Sequence, residues 1–165
     1  MSDLPIQIVL AIGSNMGDRL ASLRAAVKGL APDIVVTEVS PVYETAAAYV
    51  TDQPAFLNAV LLGQTRLEPL PLLRLVKDME GDIGRQPTFR YGPRVIDIDV
   101  IFHGKTILKT AELVIPHARL AERDFVLRPL NDIAPHLQHP ETHRTMSEML
   151  AALPLSEMSC LGKVI

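Results

Sequence analysis

Cysteine occurs once in the 165-residue chain, at Cys160, so no disulfide can close within it, which fits a reducing compartment. No apolar run approaches the roughly 18 residues that a membrane-spanning helix needs. The opening residues, Met1-Ser2-Asp3-Leu4-Pro5, lack the basic segment and apolar core of a secretory signal. The expected setting is cytoplasmic, with no membrane partner. Positive charge is not in excess: the formal net charge of −3 argues against general nucleic-acid binding. Tryptophan is absent, and there is no internal repeat, low-complexity tract or linker. With 165 residues and 48% apolar content, a single domain over residues 1–165 is expected, large enough to bury a core.

What is present is unevenly placed. Of the 16 Lys and Arg residues, eight fall between Arg85 and Arg128, against five acids in the same window. Two of those acids, Asp97 and Asp99, interrupt a Val- and Ile-rich run from Val95 to Phe102 that suits a strand. Alternation puts Ile96, Ile98, Val100 and Phe102 on one face as an apolar stripe, and Val95, Asp97, Asp99 and Ile101 on the other. The two carboxylates then share a face with Cα atoms about 6.6 Å apart. At an effective dielectric of about 20 they repel by roughly 2.5 kcal/mol, which raises one pKa unless positive charge lies between them. A hard divalent cation would supply that charge, and oxygen ligands without a nearby Cys or paired His point to magnesium. The alternative is a strand whose solvated face tolerates aspartate, although aspartate is a poor strand former. A basic patch around a cation suggests a small polyanion such as a nucleotide, not a long duplex.

Elsewhere the pattern is α+β. Ile6 to Ile12 reads as a buried strand ending in Gly13-Ser14-Asn15-Met16-Gly17-Asp18. A helix follows with Leu20, Leu23, Val27 and Leu30 at helical spacing and Asn15 or Asp18 as its cap. The turn lacks Gly-Lys-Ser/Thr and has too few glycines for a dinucleotide fingerprint, so by itself it reads as a capped tight turn. Ile34 to Val42 and Phe56 to Gln64 read as strands, separated by a long loop that begins at Tyr43-Glu44-Thr45. Asn58 is either an edge residue bonded to backbone or an amide that reads a planar heterocycle. Leu70, Leu73, Val76 and Met79 mark a second helix, with Pro69 near its start, Glu80 closing it and Gly81 past its end. A second long loop, from Gly84 to Arg94, carries Arg85, Arg90 and Arg94, whose planar forks suit phosphate oxygens.

After the aspartate strand, Gly104-Lys105 makes a turn and Thr106 to Leu108 a short return strand. His117, after an apolar run and a proline, reads as structural without other information. His136, His139 and His143 read as a solvated loop, and Thr145-Met146-Ser147-Glu148 as a capping box opening a last helix that buries Met149, Leu150 and Leu153. The order β-α-β-β-α-β, with short C-terminal elements, matches a ferredoxin-like α+β core: a mostly antiparallel sheet with helices on one face.

Several of these stretches together resemble the 6-hydroxymethyl-7,8-dihydropterin pyrophosphokinases of folate biosynthesis. The matching pieces are Ala11 to Gly17, Tyr43-Glu44-Thr45, Asp52 to Ala59, Glu80 with Gly84-Arg85, Gly92-Pro93-Arg94-Val95-Ile96-Asp97-Ile98-Asp99, Pro116-His117, and Arg123 to Leu127. The resemblance implies transfer of pyrophosphate from ATP to the pterin hydroxymethyl oxygen, releasing AMP. It implies two magnesium ions on Asp97 and Asp99, with Arg85 and Arg94 clamping phosphates and stabilising the transition state. ATP contacts would come from Glu80, Arg85, Tyr91, Arg94, Ile98, His117 and Arg123. Pterin contacts would come from Thr45, Ala46, Ala48, Phe56, Asn58, Asp97 and Phe125, with two aromatic faces on the ring and Asn58 at its edge.

The chain departs from the usual pattern in four places. Ala46-Ala47-Ala48 stands where proline follows the threonine, Tyr91 where a tryptophan is common, Pro87 in place of a basic residue, and Ala118 in place of an aromatic. These bear on loop closure, ATP affinity and rate. The chain is expected to be a free-standing monomer whose two long loops close over substrate and exclude water. The rival readings are another magnesium-dependent nucleotidyl or phosphoryl transferase, and a non-catalytic ferredoxin-like binding module.

Overall fold

Strand β1 (Ile6–Ser14) is buried from Ile8 onward, as a central strand covered on both faces must be. In the computed structural model, which describes residues 3–84, 89–154 and 156–165, it pairs antiparallel on both sides, with β4 (Phe56–Thr65) and with β5 (Asp97–His103). Beyond β4 lie β2 (Ile34–Val39) and β3 (Val42–Thr45), and β3 pairs in turn with β8 (Ser159–Gly162). The expected single strand from Ile34 to Val42 is thus two. It breaks at Ser40-Pro41, where proline has no N–H to donate and Ser40 Oγ accepts from the Val60 N–H at 2.9 Å instead. Tyr43-Glu44-Thr45, expected to begin a loop, is strand because both neighbouring strands pair with it.

Helix α1 (Arg19–Gly29) starts at Asp18, whose carboxylate accepts from the Ala21 N–H at 3.1 Å. Helix α2 (Pro69–Ile83) opens on a proline and ends at Gly84, whose φ of 111° is the left-handed conformation that glycine adopts without strain. The stop is therefore one turn later than Gly81. Both helices pack on one sheet face: Leu23 and Ala26 of α1 with its C-cap Leu30, and Leu72, Val76 and Met79 of α2, meet Ile8, Leu10, Ile12, Leu61, Ile98 and Val100.

The opposite face is covered too, which corrects the expectation of helices on one side. Helix α3 (Asp124–Ile133) and helix α4 (Met146–Ala151) bring Val126, Leu127, Leu130, Met146 and Met149 against Val9, Val60, Leu62, Ile101 and Phe102. The capping box of α4 forms as expected, although Leu153 lies beyond the helix. Phe102 joins this second cluster because the β1–β5 register shifts between Val9 and Leu10. The apolar stripe read from simple alternation stops at Val100 for that reason. Strands β6 (Leu108–Lys109) and β7 (Val114–Ile115) form a separate two-stranded ladder, so the expected return strand does not rejoin the main sheet. Among the described residues no helix is long and apolar enough to cross a membrane.

Candidate active site

Sheet register builds the floor of the site. Tyr43 lies opposite Asn58, Asn58 opposite Gly13, and Gly13 opposite Asp97, so one row of residues crosses β3, β4, β1 and β5. The next row is Val60, Ala11 and Asp99. Residues directly opposite in a sheet share a face, so the small residues Gly13 and Ala11 separate the Asn58 amide from two carboxylates. A Cβ on Gly13 would sit 2.9 Å from Asn58 Oδ1 and 3.6 Å from Phe56 Cδ1. Absence of that atom keeps open a cleft of about 310 Å³.

One end of the cleft is neutral. Thr45, Ala46, Ala48, Phe56, Asn58 and Phe125 line it. Asn58 Nδ2 donates to Thr45 Oγ1 at 2.8 Å, so the amide is oriented within the protein. It stands on a strand paired on both sides, not on an edge. Below this end the Tyr43 hydroxyl donates to Asp132 and ties β3 to α3, which carries Phe125. Burial first, and then Asp132, push the Tyr43 pKa upward, so the phenol keeps its proton.

The other end is charged. Asp97, Asp99, Lys77, Arg94, His117 and Arg123 line it. Burial, reinforced by the Asp97 and Glu80 carboxylates, pushes Asp99 up to about 7 against the opposing pull of Lys77 and Arg123. An Arg123 guanidinium nitrogen stands 3.7 Å from Asp99 Oδ2. Lys77 Nζ donates to Glu80 Oε1 at 2.7 Å, and Glu80 is 1% exposed. His117 Nδ1 accepts from the Arg119 N–H at 3.1 Å, while burial, with help from Arg123, lowers its pKa to about 4. At neutral pH the ring is uncharged with its proton on Nε2, a neutral donor among charged groups.

Two loops meet over the cleft. The Tyr49 and Tyr91 rings stack with centroids 4.4 Å apart, and the Arg119 guanidinium lies 4.9 Å from the first centroid and 5.3 Å from the second. Tyr49 accepts from Arg123 Nε at 3.2 Å and donates to Glu122 at 3.0 Å.

Of the residues singled out from sequence, the cleft gathers Thr45, Ala46, Ala48, Phe56, Asn58, Tyr91, Arg94, Asp97, Asp99, His117, Arg123 and Phe125. Ile98 is different: it is 1% exposed, and its side chain packs into the apolar core under α1 and α2. Glu80 stands behind Lys77 and not on the cleft wall. Arg85 lies outside the described residues. Arg90, one of the three loop arginines, lines the cleft as well, and Lys77 and Tyr49 line it without having been singled out for it. For Lys77 a signal existed, since it sits three residues before an acid on a helix face. In the histidine segment, His139 Nδ1 accepts backbone N–H groups of Glu141 and Thr142, and its ring meets Phe102 edge-on.

An antiparallel sheet of ferredoxin-like order, with paired carboxylates and a neutral pocket in one cleft, defines an α+β domain with a mixed polar and charged site. Comparison with known proteins gives the family. Residues 9–135 match the profile described as 7,8-dihydro-6-hydroxymethylpterin-pyrophosphokinase (HPPK), and the chain belongs to that family. It is 36% identical over 157 residues to the 2-amino-4-hydroxy-6-hydroxymethyldihydropteridine pyrophosphokinase of Aquifex aeolicus, covering 95% of this chain and 98% of that protein. It is 44% identical over 147 residues to the folic acid synthesis protein FOL1 of Dictyostelium discoideum, covering 89% of this chain but only 22% of that longer protein. The solved structure of Plasmodium falciparum HPPK-DHPS with pteroate superposes with a TM-score of 0.71 at 15% identity, over 92% of this chain and 43% of that one, a likeness of fold.

Proposed function

We propose that this chain transfers the pyrophosphoryl group of ATP to the hydroxymethyl oxygen of 6-hydroxymethyl-7,8-dihydropterin, giving AMP and the pterin diphosphate in folate biosynthesis. The row Asn58–Gly13–Asp97, with Asp99 in the next row, supports the reading: an amide and two carboxylates share one floor, with a residue without a side chain between the amide and Asp97. The pterin ring lies between Phe56 and Phe125 with its edge at Asn58 and Thr45, and its hydroxymethyl arm points along Gly13 toward Asp97 and Asp99. The triphosphate lies at the charged end. Arg94 and Arg123 bind its oxygens, His117 donates from Nε2, and the same phosphate role is assigned to Arg85 from the family resemblance.

Magnesium fits the donor set. Asp97 and Asp99 offer hard oxygens, and among the described residues no three His, Cys, Asp or Glu side chains form an all-protein cage. That suits an ion that takes one or two carboxylates and completes its shell with phosphate and water. Two such ions, held by Asp97 and Asp99, would neutralise triphosphate charge and help orient the attacking hydroxyl. The remaining work belongs to the chain: arginines hold the phosphorus in line, the ring pocket fixes the alcohol, and the two loops exclude water. The proposal includes a single domain over residues 1–165, acting as a cytoplasmic monomer without nucleic acid.

The deciding assay supplies purified protein with ATP, magnesium and 6-hydroxymethyl-7,8-dihydropterin. AMP and pterin diphosphate should form one to one, and only when pterin is present. ADP as product, pyrophosphate release, or no turnover would contradict the proposal. Arg85→Ala should lower kcat far more than it raises the ATP KM; an equal loss in both would reassign Arg85 to ground-state binding.

A further inference from the structure

The row of residues that floors the cleft continues outward past the part used for chemistry. Cys160 of β8 lies opposite Tyr43 of β3, and Tyr43 opposite Asn58, so the Tyr43 side chain stands on the site face. Tyr43 is 7% exposed, and its hydroxyl donates to the Asp132 carboxylate of α3, the helix that covers that face. Burial, and then Asp132, keep the phenol protonated, so it remains a donor at neutral pH.

Asp132 and Phe125 are seven residues apart on α3, which is two turns and about 10.5 Å along the axis. They therefore fall on the same side of the helix. On β3, Tyr43 and Thr45 are two residues apart and share the site face, and Thr45 lies opposite Phe56 of β4. These side chains make a frame. Asp132 bonds to Tyr43 at one end, while Phe125, Thr45 and Phe56 line the neutral end of the cleft at the other. Elsewhere α3 meets the sheet through apolar groups, with Val126, Leu127 and Leu130 against Val9, Val60 and Leu62. Apolar burial holds two such surfaces together but has no direction, so it fixes their offset weakly. A hydroxyl–carboxylate bond has a preferred line and a narrow range of length, and it sets where α3 rests along β3. The position of Phe125 relative to Phe56 follows from that offset. Neither Tyr43 nor Asp132 is among the described residues that line the cleft.

We propose that Tyr43 and Asp132 are positioning residues for the pterin ring: their bond fixes α3 against β3 and so sets the gap between Phe125 and Phe56. The inference rests on the pyrophosphokinase reading above.

Steady-state kinetics of the full chain with 6-hydroxymethyl-7,8-dihydropterin, ATP and magnesium tests it. Tyr43→Phe and Asp132→Ala should each raise the pterin KM by about tenfold, the scale of one hydrogen bond to a charged group. In both, kcat and the ATP KM should stay within about twofold. Asp132→Asn keeps an oxygen that accepts from the hydroxyl, so its pterin KM should lie within about threefold of the unaltered protein. The double variant Tyr43→Phe/Asp132→Ala should be no worse than either single one, because both remove the same bond. A pair that only stabilised the fold would lower kcat through loss of folded enzyme and leave the pterin KM alone. That result, an equal rise in both KM values, or losses that multiply in the double variant would overturn the positioning role and leave the pyrophosphokinase reading standing. Absence of pterin-dependent AMP formation by the unaltered protein would overturn that reading and this inference with it.

Discussion

At one end of the cleft, Asn58, Thr45, Phe56 and Phe125 present neutral groups, with the amide already oriented by a 2.8 Å hydrogen bond; at the other, Asp97, Asp99, Lys77 and Arg123 set ionisable groups against one another. The neutral end is oriented as folded, because the Asn58 amide is held by Thr45 and needs little rearrangement to meet a ring. The charged end is balanced but poised: burial and a neighbouring carboxylate hold Asp99 up at about 7 despite two nearby cations. A site that selects by shape and hydrogen bonding therefore lies beside one that acts through charge. Gly13 is the divider, and in the proposed reading the absence of its side chain would let one substrate touch both.

The comparison breaks most visibly at the charged end. Asp97→Asn and Asp99→Asn should each lower turnover on the order of a thousandfold, by analogy with the loss of other preorganised charge-stabilising groups. Pterin affinity without nucleotide should stay within about threefold, and steady-state kinetics with calorimetry separates the two effects. At the neutral end the expected loss is smaller and of the opposite kind. Asn58→Leu should raise the pterin KM by about tenfold to a hundredfold, the worth of one or two hydrogen bonds left unmade, with the ATP KM little changed. Gly13→Ala should act in the same direction, because its Cβ would displace an amide oxygen 2.9 Å away that Thr45 helps to hold.

His117 sharpens the contrast, being a neutral group at the charged end. Its pKa in the folded protein, about 4, lies below the ordinary 6.5. Between those values the unfolded chain carries more protons at this ring, so its contribution to stability is complete above pH 6.5 and is lost as pH falls toward about 4. Arg123 and Arg119 disfavour the imidazolium while Asp97 and Glu122 favour it, and burial decides the direction. Urea unfolding across this range should show the slope, and His117→Gln should flatten it. The smallest effect is expected away from both ends. Thr145→Ala removes the cap of α4 and should cost about 1 kcal/mol of stability with kinetics unchanged.

The sequence exposed the charged end more readily than the loops. Two acids with period two in a Val/Ile run mark a strand and a shared face without any tertiary information, and Asp97 and Asp99 do line one cleft. The bulge that moves Phe102 to the other face depends on pairing with β1, which alternation within one strand does not carry. Strand β8 escaped because Ser159–Gly162 is short and exposed, and becomes strand only by pairing with β3. Asn15 and Asp18 both suited the cap of α1; Asp18 takes that place, and the Asn15 amide reaches further, to Arg94. Lys77 carried in the sequence only a helix-face pairing with Glu80; that it lines the cleft beside Asp99 follows from where α2 lies in the fold. Such signals live in contacts between distant segments, and residue type and spacing do not encode them.

The most direct test of the division between the two ends is calorimetry of each ligand with magnesium and with EDTA. The account predicts that 6-hydroxymethyl-7,8-dihydropterin alone binds equally well in both, whereas the non-hydrolysable ATP analogue loses at least about tenfold in affinity without the cation. An analogue that binds as tightly in EDTA, or a pterin that needs magnesium to bind alone, would contradict it.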